Sequence, residues 1–244
     1  MYCLRLGRAW GHPGLAQELA MRLNMILLAL SLLGSLAMAE DGGAPVLRRG
    51  FNDLRLGLAT QGLEYEVEAR IVAGGSSLDL GSVTDDWDSS GSVTLTYVGS
   101  RSVGPNAWGM IYGGGLAFTG SSLREGGERT SLGIVSLRGH LGAGYGISPQ
   151  LHLEILPFIG LGVAELVFDD DDVGQRVSSD GYAVEAGLDF GMYYTFDNGL
   201  QLGGTLGMIS SRASFSEEFI AGSTLDVDID SSVWRVALSV GYRF

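Results

Sequence analysis

Three groups of side chains in this sequence could do chemistry. The first is a pair of histidines, His140 and His152. A hydrolytic site needs a nucleophile beside a base, and a third group to orient that base. The residues that follow them, Leu141-Gly142 and Leu153-Glu154, place no serine next to either ring. The second group is carboxylate runs. Asp226, Asp228 and Asp230 match the opening of a calcium-binding EF-hand loop. The sixth position is then Ser231 instead of Gly and the twelfth Ala237 instead of Glu, so that loop is excluded. A looser ion site there, or at Asp169 to Asp172, competes with the plainer reading of solvated charge. The third group is ionic: Arg55, Arg138, Arg235 and Arg243 with Glu154, Glu185 and Asp189. All seven alternate with large apolar residues. A buried charge without a partner is costly, so both signs on one face imply pairing.

Those charges can share a face only if strands carry them. Side chains of a strand point alternately to its two faces. Trp234, Val236, Leu238, Val240, Tyr242 and Phe244 alternate with Arg235, Ala237, Ser239, Gly241 and Arg243. At ~3.3 Å per residue and ~40° tilt this stretch spans about 25 Å, the height of a membrane barrel's apolar band. The same alternation recurs around Leu54–Leu58, Val93–Tyr97, Trp108–Phe118, Val135–Tyr145, Leu151–Val163, Tyr182–Phe196 and Leu200–Met208. The first of these continues through Leu63, Tyr65, Val67 and Ala69 with its apolar phase displaced by one residue near Gly62. That predicts a β-bulge in one bent strand. Counting Leu63 to Ile71 separately gives nine strands, whereas single-chain bacterial barrels carry an even number.

The pattern predicts an all-β fold: an eight-stranded antiparallel up-and-down transmembrane β-barrel over residues 51–244. The large apolar residues share one face, and glycine and charge share the other. A soluble barrel would pack the large residues inward. Long acidic outer loops are expected over 72–90, 119–130, 168–180 and 211–229. Short turns are expected at Gly99–Asn106, Ser148-Pro149 and Asp197-Asn198-Gly199. Glu64, Glu66 and Glu68 would form an acidic upper rim, giving a cation preference if the lumen conducts. The inward glycines leave room for water, which favours some permeability. An eight-stranded barrel is nonetheless only just wide enough for its own side chains.

Met21-Arg22-Leu23-Asn24, the apolar run Met25–Leu36 and Ala37-Met38-Ala39 form the three parts of a secretory signal over residues 21–39. Residues 1–20 precede it as an extension suggesting an early start, and 40–50 form a periplasmic lead. Cleavage is expected near Ala39. Every basic side chain is Arg, and the formal charge is −13. This argues against a nucleic-acid partner. The one cysteine, Cys3, lies before the signal, so no disulfide or cysteine-based metal site is expected in the mature chain.

The closing run from Trp234 to Phe244 resembles the C-terminal signal of outer-membrane proteins. The resemblance implies that Trp234, Val236, Leu238, Val240, Tyr242 and Phe244 are read by the barrel-assembly machinery. The mature chain resembles the small eight-stranded barrels of the OmpA and OmpX kind, without the periplasmic peptidoglycan-binding domain of the former. Lipid A deacylases of similar size carry a His-x-Ser pair facing lipid; neither His140 nor His152 fits it. The expected role is structural or surface-interacting, through acidic outer loops, with no enzyme activity, cofactor or resident metal. A narrow pore is the alternative, and a lipid-active enzyme a more distant one. Expected partners are outer-membrane lipid and lipopolysaccharide, bridged by divalent cations.

Overall fold

The computed structural model describes residues 50–62, 64–125, 128–170, 175–220 and 223–244. The signal and the extension before it, with residues 40–49 of the lead, lie outside the described residues. The strands are β1 (Asn52–Gln61), β2 (Glu64–Ala73), β3 (Ser76–Asp86), β4 (Ser89–Arg101), β5 (Ala107–Glu125), β6 (Glu128–Gly146), β7 (Leu151–Asp170), β8 (Gln175–Thr195), β9 (Leu200–Ile220) and β10 (Ser223–Arg243). From β4 to β10 each strand pairs antiparallel with the next. β1 pairs with both β4 and β10, which closes a barrel of eight strands. The β2–β3 hairpin interrupts the sequence between β1 and β4 and stands on the far half of β10.

The bulge expected near Gly62 is absent. Gln61 lies opposite Arg235, and Glu66 opposite Asp230, so the two strands advance in step through the junction. Gly62 N donates to Trp234 O at 2.8 Å and continues the ladder. β1 and β2 therefore share one register against β10, and the odd-numbered residues described on both sides of the junction face inward. What changes at Gly62 is which face is dry. Below it, Leu54, Leu56 and Leu58 face out and are exposed. Above it, Tyr65 is buried while Glu64, Glu66 and Glu68 face out. The partner strand does carry irregularities, one where Trp87 and Asp88 separate β3 from β4, and one at Leu80, which has no partner on β2.

The outer face of the closed barrel is apolar. Leu238 is 72% exposed and Ile159 73%, with Leu137, Leu161, Leu141 and Trp234 similarly bare. Monomeric soluble proteins do not present a continuous patch of this kind. A closed barrel also satisfies every backbone group internally, as hydrocarbon requires. Aromatics concentrate at the lower border, where Trp108 meets Tyr145 at 5.1 Å and Tyr194 meets Phe196 at 5.0 Å. The upper border is abrupt. The next outward positions are Thr60, Glu165, Asp180, Ser210 and Ser232. The barrel is transmembrane, and this band is its lipid-facing belt.

The stretches expected as outer loops are strand for most of their length. No lipid contacts them, so their outward residues are polar and the alternation that marks the belt is lost. The hairpin ladders persist regardless, as in β5–β6, which pairs to Glu125–Glu128. The β8–β9 ladder stops at Gly181–Phe215, and the β4–β5 ladder starts only at Ser89–Ser122. Above these points the wall becomes two four-stranded sheets, β5–β6–β7–β8 and β9–β10–β2–β3. Their inner faces share a core that includes Tyr65, Trp87, Leu132, Ile134, Leu166, Phe215 and Ile229. Trp87 is 4% exposed and lies 4.4 Å from the Tyr65 ring. We call this upper part the crown.

Candidate functional site

Inward positions of a narrow barrel must be filled by its own side chains, and here they fill it in layers. In the layer nearest the lower strand ends, Asp53 is fully buried. It accepts from Arg55 Nη2 at 2.7 Å, from Arg243 Nε at 2.8 Å and from Gln201 Nε2 at 2.9 Å. Arg55 also donates from Nη1 and Nη2 to the two oxygens of Glu154, both at 2.6 Å, and from Nε to Gln201 Oε1 at 2.7 Å. His152 Nε2 lies 2.9 Å from Glu154 Oε1. Two rings complete the layer. The Arg55 guanidinium sits 3.8 Å over Tyr193, and that of Arg243 sits 3.8 Å over Phe51.

In the middle layer Arg138 donates to Glu185 from Nε at 2.8 Å and Nη2 at 3.0 Å. Ser136 Oγ donates to the same carboxylate. Arg235 binds Asp189 through Nε at 3.0 Å and through Nη2. Phe158 lies between the two arginines, 4.8 Å from Arg138 and 5.0 Å from Arg235. Above it Ile209 and Val233 pack on Phe158, and the crown core follows. A chamber of about 60 Å³ remains, bordered by Arg138, His140, Tyr193, Thr205 and Ser239. It has room for a few waters. Arg138 Nη1 and both ring nitrogens of His140 have no protein partner, and they border this chamber.

The seven charges singled out in the sequence thus fall into separate clusters. Arg55, Arg243 and Glu154 meet below, Arg138 meets Glu185, and Arg235 meets Asp189. Asp53, which balances the fourth arginine, and the bridging Gln201 were not among the seven. The signal for Asp53 was available: it lies two residues before Arg55, on the same strand face. His152, outside the seven, is also buried in the lumen and joins the lower network through Glu154.

The room that inward glycines were expected to leave for water is largely occupied. Gly187 lies against the Phe158 ring, and Gly191 and Gly203 lie against the Tyr193 ring. A Cβ at Gly160 would sit 3.1 Å from Arg138 Cγ and 3.2 Å from Glu185 Oε2. These glycines are slots for large side chains of their own strand and of the strands paired beside them.

Glu64, Glu66 and Glu68 do not form a lumen rim. They lie on the crown's outer face, opposite Asp86, Thr84 and Ser82 on one side. Asp226, Asp228 and Asp230 occupy alternate positions of β10 on that same face. Arg212 binds Asp230 at 2.5 Å and Arg70 binds Asp226 at 3.3 Å. Among the described residues, a convergent set of potential metal ligands is Asp53, His152 and Glu154, into which Arg55 already projects. The Asp169 to Asp172 run lies partly outside the described residues. Trp234, Val236, Leu238, Val240, Tyr242 and Phe244 all face outward and are exposed.

No family model and no curated protein matches this chain. Among solved structures it is similar to Ail, the attachment invasion locus protein of Yersinia pestis, in complex with the heparin analogue sucrose octasulfate. The identity is 18%, the TM-score 0.39, and the match covers 80% of this chain and 99% of that one. It is also similar to the outer membrane protein OprG from Pseudomonas aeruginosa, with 18% identity, a TM-score of 0.34, and coverage of 80% and 96%. A third is the outer membrane protease OmpT from Escherichia coli, with 9% identity, a TM-score of 0.41, and coverage of 80% and 97%. The fold assignment rests on the strand register and the apolar belt.

Proposed function

We propose that this chain, a small eight-stranded outer-membrane β-barrel, is a non-conducting anchor that holds a strand-built crown above the membrane for surface interaction. The observation that carries the reading is the lumen. Four arginines and four carboxylates neutralise one another in it, and an apolar core lies above them. Passage would require a hydrated ion to displace guanidinium groups paired with carboxylates, and then to cross an apolar layer. Above the belt, β10 alone continues from Val233 to Ser223, about 11 residues, which is roughly 28 Å at ~3.3 Å rise and ~40° tilt. A projection of that height is enough to carry the crown clear of the lipid headgroups, which supports the surface-interaction reading. The outward row from Trp234 to Phe244 is proposed as the segment read by the assembly machinery.

Planar-bilayer recording of the purified protein tests the reading. The expected trace is flat across the voltage range of the recording. Steady single-channel steps that change when Arg138 or Glu185 is replaced would overturn it and favour the narrow pore.

A further inference from the structure

The crown edges of β5, β8 and β9 belong to strands that pair on both sides lower down, whereas β3 meets no second described strand anywhere along its length. It pairs with β2 on one side, and each of its residues from Ser76 to Asp86 is exposed. Its free edge offers a row of main-chain N–H and C=O groups, a template for a further strand. Edges are commonly guarded by lysine, proline or a bulge. β3 has no lysine or proline, and its guards are the bulge at Leu80 and the acids Asp79, Asp85 and Asp86. These acids also decide the occupant. A second copy of β3 laid along the first would bring like charges together, which costs energy across strands. An anionic partner meets the same repulsion.

The outer face beside that edge is acidic. Glu68 lies directly opposite Asp228, and Glu66 opposite Asp230. The two arginines of this face are bonded to Asp226 and Asp230. No arginine is bonded to Glu66, Glu68 or Asp228 among the described residues. At the bulge, a pocket of about 270 Å³ opens between Glu68, Arg70, Asp79, Asp226 and Asp228. Gly81 forms its floor with φ +107°, and nothing lies within 4 Å of where its Cβ would be.

We propose that the β3 edge receives an extended, basic segment of another polypeptide as an added strand, with a lysine or arginine side chain seated in this acid-lined pocket. The main-chain ladder supplies affinity, and alternate basic side chains reaching the outer face supply selectivity. The cation relieves the repulsion between Glu68 and Asp228. The proposal rests on the surface-interaction reading and names its partner class.

The test uses the full-length protein in nanodiscs of zwitterionic phosphatidylcholine and a labelled 11-residue peptide of alternating Lys and Val, followed by fluorescence anisotropy. Saturable binding is expected. N-methylation of alternate peptide nitrogens keeps the charge, removes the ladder, and should weaken binding at least about tenfold. Leu80→Pro should do the same, because Leu80 has no partner on β2 and its replacement spares that ladder. Glu68→Gln with Asp228→Asn should weaken binding about fivefold. Equal binding by the N-methylated peptide, or displacement by spermine at equal charge, would reduce the site to charge alone and overturn the proposal. Dimers held through β3 would overturn it as well. A protein that is electrically silent but ignores the peptide refutes this inference and leaves the proposed function standing. Channel activity refutes the latter independently.

Discussion

Replacing Glu185 with glutamine strips the Arg138 guanidinium of its carboxylate while both side chains stay in place. Arg138 is 3% exposed, and its Nη1 already has no protein partner. At a separation near 4 Å and an effective dielectric of about 20, one such pair is worth about 4 kcal/mol. Removing a single member of a buried pair costs about 3–5 kcal/mol, because the remaining charge stays desolvated. The reciprocal variant, Arg138→Met, should cost a similar amount by stranding Glu185. The double variant Arg138→Met with Glu185→Leu should recover most of the loss, since hydrophobic replacement of a complete buried pair is often near neutral. Urea unfolding of the protein in vesicles measures all three, with Trp108 and Trp234 on the outer face as fluorescent reporters. A Glu185→Gln cost below about 1 kcal/mol would mean that water reaches Arg138 freely. A double variant as unstable as the single would mean that packing, not charge, dominates. Either result would refute the sealed-lumen argument.

The crown's ion pairs should behave differently. Arg212→Ala removes the bond to Asp230 at an exposed site, and urea unfolding should register no more than about 1 kcal/mol. Trp87→Ala empties the crown core and should cost about 3–5 kcal/mol locally. The readout is protease cleavage of the crown with the silent bilayer trace unchanged. Gly203→Ala drives a methyl group into the Tyr193 ring and should cost about 1–3 kcal/mol. Combined with Tyr193→Ala, the total should fall short of the two separate losses in a double-mutant cycle, because the clash is shared.

The belt was legible in the sequence because lipid imposes a strict rule. Every outward position from Trp234 to Phe244 had to be apolar, and every one is exposed to the bilayer. The lumen charges were legible for the complementary reason, since Arg55, Arg138 and Glu185 stand out among small inward residues. Pairing was not legible. Which carboxylate meets Arg55 depends on how strands β1 and β7 face each other across the barrel, and no local pattern encodes that distance. The crown was hidden for another reason. Its strands bury small apolar residues such as Ala164, Ala183 and Ala213 inward and expose serine and acid outward, which reads as loop. The exchange of apolar face at Gly62 mimicked a shift of phase. With β1 and β2 sharing one register against β10, it is a change of solvent from one to the other.

That change of solvent fixes how deep the molecule sits. Between them, β1 and β2 carry Leu58 on the lipid side and Glu64 on the water side of one short interval. β10 repeats the arrangement with Trp234 and Asp230. Sinking by a few residues would drag carboxylates into hydrocarbon, and rising would lift leucines into water. The barrel is therefore held vertically by its wall alone. The crown stands at a set height above the bilayer, and a force applied to it from outside would be resisted by solvation on every strand at once.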